Sequence, residues 1–170
     1  MPVENLESIT ASKLSIVKSN LFRCNQREKI YYEIAQQMQT TTFLSNTPLT
    51  PVIVQLWHEI IQNWPKDLFA AKMLQGISFN CGNTKQILEV AEKVFYYNQH
   101  NHFAYGMYAW GLVENYNLTK AETIANLGFK MSPSSVDPWC DHALAHIIYE
   151  KGHYEDGIYF YWHLFLPMKN

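Results

Sequence analysis

Three short stretches constrain the fold more than anything else in the chain. GNTKQI at 82–87, YNLTKA at 116–121 and GHYEDG at 152–157 each read as a turn followed by a helix start, and their first residues lie 34 and then 36 positions apart. A period of that length belongs to stacked helix hairpins, units whose apolar face is completed only by a neighbouring copy. Paired helices need small residues where they approach closely. Ala109, Ala121, Ala125 and Gly128 meet that need in one unit, Ala145 and Gly157 in the next. Pro133 stands 12 residues after Ala121 and Pro65 stands 12 after Ile53, so helix-ending prolines carry the register back into an earlier unit.

Capping signals mark where helices begin. NQRE at 25–28, NTKQ at 83–86 and TKAE at 119–122 place a capping side chain three residues before Glu or Gln, the capping-box pattern. Thr47-Pro48 and Asp137-Pro138 add a cap followed by proline, whose missing N–H costs nothing in a helix's first turn. Between these starts, apolar residues keep helical spacing, as in Leu88, Ala91, Val94 and Phe95, and alternating strand patterns are scarce. The expected fold is all-α: a single domain over 1–170, an α-solenoid of about four hairpins. They are expected over 25–64, 66–97, 101–131 and 135–167, after an N-terminal helix within 3–22.

Composition narrows the function classes. The 170 residues are 48% hydrophobic, enough to bury one substantial core, and the net charge of -2 with dispersed Lys and Arg argues against a phosphate-binding surface. Nucleic acid is therefore not an expected partner. The N-terminal MPVENLESITASKL has acids where a signal peptide needs bases, and no apolar run approaches the roughly 20 residues of a membrane span, so no membrane is expected. Cys24, Cys81 and Cys140 form no C-x-x-C pair and read as free thiols in a reducing cytoplasm.

The runs REKIYYEIAQQM, WHEIIQNWPKDLFAAK, YGMYAWGLVENYNLTKAE and DPWCDHALAHIIYEKGHYEDGI, in that order over about residues 26–163, resemble the tetratricopeptide repeat protein 38 family. The resemblance implies an α-solenoid of helix hairpins with no firmly assigned activity. Family members are longer and carry histidines where this chain has Tyr31 and Gln75.

In a tetratricopeptide-like unit the first helix lines the concave side. The register assigns Phe69, Lys72, Gly76, Phe79 and Asn80 to that side in one hairpin, and Phe103, Gly106, Trp110, Val113 and Glu114 in the next. The last hairpin adds Trp139, His142, His146, Tyr149 and Glu150. Such a surface would suit a peptide or protein partner: aromatic side chains supply contact area, Gly76 and Gly106 leave room, and Lys72, Glu114 and Glu150 orient polar groups. A small molecule is another occupant. The chain's own residues 3–22, with Leu6, Ile9, Ile16 and Val17, are a third.

His142 and His146 sit four apart and share a helix face, so they could chelate one ion. Glu150 lies about 12 Å from His142 along the axis, and Glu114 is the best third ligand by register. A zincin motif would need Glu after the first His, where Ala143 stands. Cys140 or Ser78 could be put forward as the nucleophile of a hydrolase, but Cys140, two residues before His142, points to a different face of a helix. His100 and His102 read as a hairpin turn, and Trp57, Trp64 and Trp110 as packing residues. The leading expectation is a non-catalytic, cofactor-free binding module; the alternative is a metal-assisted hydrolase using His142, His146 and a carboxylate.

The last helix carries IYFYWHLFLP at 158–167, with almost no polar break where a terminal repeat needs a polar outer face. Tyr159, Trp162 and Phe165 are expected at an interface, with a second copy of the chain as the favoured cover. The competing expectation is that these three pack back on 139–149.

Overall fold

A computed structural model describes residues 3–40, 51–132 and 137–165, with side chains over 11–39, 51–132 and 137–159. Every regular element among the described residues is helical. Nine α-helices follow in order: α1 Val3–Ser19, α2 Gln26–Thr40, α3 Pro51–Asn63, α4 Leu68–Asn80, α5 Thr84–Tyr97, α6 His102–Val113, α7 Leu118–Met131, α8 Pro138–Glu150 and α9 Tyr154–Phe165. A single 3-10 turn, Leu21–Arg23, joins α1 to α2. None of these helices is long and apolar enough to cross a membrane.

The expected turns have one shared backbone geometry. Gly82, Tyr116 and Gly152 all take positive φ, at +67°, +57° and +73°. In each case the residue's own N–H returns to the carbonyl three back, and the next N–H returns to the carbonyl five before it: Gly82 to Phe79 and Asn83 to Ser78, Tyr116 to Val113 and Asn117 to Leu112, Gly152 to Tyr149 and His153 to Ile148. This is the Schellman ending, which satisfies carbonyls that a helix C-terminus otherwise leaves open. Glycine adopts the left-handed conformation without penalty. Tyr116 does not, and it holds that shape because both return bonds are made.

Caps match the reading at three of the five starts. Asn25 and Glu28 make a reciprocal box, Asn83 accepts from Gln86 N–H, and Asp137 accepts from Trp139 and Cys140 N–H ahead of Pro138. TKAE does not begin α7. The Schellman bonds hold Asn117 at the cap, so the helix starts at Leu118 and Thr119 is already inside its first turn. Thr47-Pro48 lies outside the described residues.

The chain divides into two compact units, residues 1–70 and 71–170. In the first, α2 packs on α1 and on α3. Ile30, Tyr32 and Ile34 from α2 are buried, as are Ile53, Leu56, Trp57, Ile60 and Ile61 from α3. In the second, α6 packs against α5, α7 and α8. Its sequence HFAYGMYAWGLV is apolar around its whole circumference, so every residue from Gly106 to Val113 is buried. Alanines let the helices close in: Ala91, Ala109, Ala121, Ala125 and Ala143 join Leu112, Leu144 and Ile147 in one core.

Gly106 has a different role from the one its register suggested. A Cβ there would stand 2.4 Å from Trp139 Cβ and 2.6 Å from Trp139 C, so Gly106 is where the backbones of α6 and α8 touch. It leaves no open room. Gly76 does, since an added Cβ would meet nothing within 4 Å. Val113, also expected on the concave side, belongs to the core.

Candidate functional site

Within the second unit, α4, α6 and α8 bring seven of the expected residues together. From α4, the Lys72 ammonium sits 3.6 Å from the centre of the Trp139 ring and 5.0 Å from that of Trp110. Phe79, 50% exposed, packs on Trp110 with its ring tilted by 49° and the ring centres 5.6 Å apart. From α8, His142 meets Trp110 edge-on at 6.4 Å and His146 at 4.7 Å. Trp110 is therefore the hub. It is only 8% exposed, so it serves as a floor, and its Nε1 donates to Glu114 Oε1 at 3.1 Å.

Electrostatics follow from this packing. Lys72 is half-buried, and desolvation lowers its pKa. His142 is pushed below its ordinary value of 6.5, first by desolvation and then by repulsion from His146 and Lys72. Two indole faces offset part of the cation's lost hydration through their quadrupoles. Among the described residues no carboxylate forms an ion pair with Lys72.

The other expected residues lie apart from this cluster. Phe69 belongs to the first unit, where its ring packs on Tyr31 and Trp57. Burial and a hydrogen bond to Asp67 raise the Tyr31 pKa, and Asp67 also pairs with Arg27 at 3.3 Å and caps α4 at Ala70. Phe103 rests on His102, and Tyr149 packs on Tyr154. Glu150 and Asn80 are exposed. Ile16 and Val17 on α1 are exposed as well, while the side chains of Leu6 and Ile9 lie outside the described residues.

For the metal reading, His142 and His146 are adjacent but gain no third ligand. Among the described residues no three His, Cys, Asp or Glu side chains converge, and the Glu114 carboxylate is bonded to Trp110. The nucleophiles fare no better. Cys140 is fully buried, burial and Asp137 push its thiol pKa up, and Sγ lies 3.9 Å from the His102 carbonyl. A thiol in that setting stays protonated. Ser78 is buried, with Oγ 2.7 Å from Leu74 O and 2.6 Å from Gln86 Oε1.

Sequence reading missed one arrangement. His102 is the first residue of α6, not part of the preceding turn, and its Nδ1 pairs with Oδ2 of the fully buried Asp137. The two are 35 residues apart, one repeat period, and each stands at the start of a first helix. That spacing was the available signal. Asp137 thus caps α8 with one oxygen and ties it to α6 with the other.

Of the last helix, Tyr154, Ile158 and Tyr159 are 59%, 69% and 68% exposed. The side chains of Trp162 and Phe165 lie outside the described residues. No family model matches the chain, and no solved structure matches it.

Proposed function

We propose that the chain is a non-catalytic, tetratricopeptide-like interaction module, related to the tetratricopeptide repeat protein 38 family, that takes a peptide or protein segment on the first-helix face of its second unit. The observation that carries this reading is the Lys72–Trp110–Trp139 cluster with Phe79 and His142 exposed beside it. Rigid aromatic rings held by packing supply contact area at little entropic cost, which is how a few side chains anchor a partner. The recurrent Schellman turns at 82, 116 and 152 support the repeat architecture. Free Cys24 and Cys81 together with buried Cys140 suit a reducing cytoplasm. The exposed Tyr154 and Ile158 favour pairing of α9 with a second copy of the chain, which light scattering at tens of micromolar reads directly.

The groove reading is tested with a bead-displayed library of random, N-acetylated, C-amidated hexapeptides. Wild-type protein is expected to be retained by a subset of beads, and Trp139→Ala together with Phe79→Ala is expected to abolish retention while leaving the helical circular dichroism spectrum intact. Trp110 is a poorer probe, because truncating a buried indole also removes core packing. Retention unchanged in the double variant would move the partner site elsewhere.

A further inference from the structure

Resting on that reading, we propose that the groove recognises an acidic peptide segment, with an Asp or Glu side chain of the partner pairing with the Lys72 ammonium. Lys72 already lies against both indole faces, at 3.6 and 5.0 Å. A cationic ligand would have to expel it. An anion needs no displacement, and it supplies the countercharge that the half-buried ammonium does not find among the described residues.

The charges facing this point come from three helices. α4 gives Lys72, α8 gives His142 and His146, and α6 gives Glu114, whose carboxylate is turned to Trp110 Nε1. The imidazoles can donate N–H bonds to a bound carboxylate. An anion there also relieves the repulsion that Lys72 and His146 exert on His142.

Geometry favours a side-chain carboxylate over a chain terminus. Phe79 stands seven residues beyond Lys72 on α4, about 10 Å along the axis, and Gly76 between them leaves open space. Contact groups therefore continue beyond the cation, at Phe79 on α4 and at His142 and His146 on α8. A segment crossing the face sets its acid on Lys72 and an apolar neighbour on Phe79.

The same amidated library tests this. Beads retaining wild-type protein are expected to be enriched in Asp or Glu at one position, and a retained peptide is expected to bind at least about tenfold more weakly when that acid becomes its amide. Lys72→Met is expected to lose the acid preference but keep aromatic-dependent binding. Should Lys72→Met not fold, the acid-to-amide comparison on wild-type protein decides alone. Retention without charge preference overturns the acidic ligand and leaves the groove standing. Enrichment in Lys or Arg overturns it in favour of a cation that displaces Lys72. Better retention by a parallel free-acid library with no internal acid moves the recognition to a chain terminus and overturns the side-chain assignment. No retention by any library overturns both the ligand and the groove.

Discussion

The two histidine environments on the α6–α8 side of the second unit use similar residues to opposite ends. At the start of α8, His102 meets a buried carboxylate that is also bonded to two backbone N–H groups, and the neighbouring Cys140 is sealed. One to two turns further along α8, His142 and His146 lie near Lys72, and among the described residues no carboxylate is brought between them. The first set has its hydrogen-bond partners inside the chain. The second is held in mutual repulsion by packing, so one histidine is tied into the fold while the other is left beside a cation.

Removing the buried carboxylate from the first set should have the largest effect. Asp137→Ala deletes a helix cap and an inter-helix pair at a fully buried position, and should lower unfolding stability by about 3 kcal/mol. Urea denaturation measures this, and an unchanged midpoint would erase the contrast. The second set should tolerate change. Lys72→Met trades a cation–π contact for apolar packing and should shift stability by less than about 1 kcal/mol, with altered tryptophan emission as the sign that Trp110 and Trp139 have lost their cation.

The smallest effect separates the two by pH. Because His142 has a folded pKa below 6.5, the unfolded chain takes up the proton first. Its contribution is therefore present above pH 6.5 and is lost as pH falls through the folded value. His142→Gln should flatten this acid-side slope in denaturation midpoints measured between pH 7 and pH 5. An identical slope in the variant would mean that neither burial nor the neighbouring His146 and Lys72 shift the ring.

Helix starts were legible because the signals are local. Caps act across two or three residues and the turn bonds across three or five, so Asn25, Asn83 and Asp137 could be read directly. TKAE misled because the same local rule fits a residue already inside the helix; the competing turn at Tyr116 set the start. Gly106 was placed on the correct helix, but whether a glycine opens a groove or admits a neighbouring backbone depends on how closely α8 approaches.

By itself, the sequence determined the helices and the spacing of the turns between them, since each rests on hydrogen bonds that close within a few residues. Only the tertiary structure decided that Lys72 lies between Trp110 and Trp139, and that Asp137 claims His102 while His142 is left beside a cation. Those outcomes depend on distances of a few ångströms between helices far apart in the chain, and such distances are set by the packing of whole faces rather than by any short run of residues.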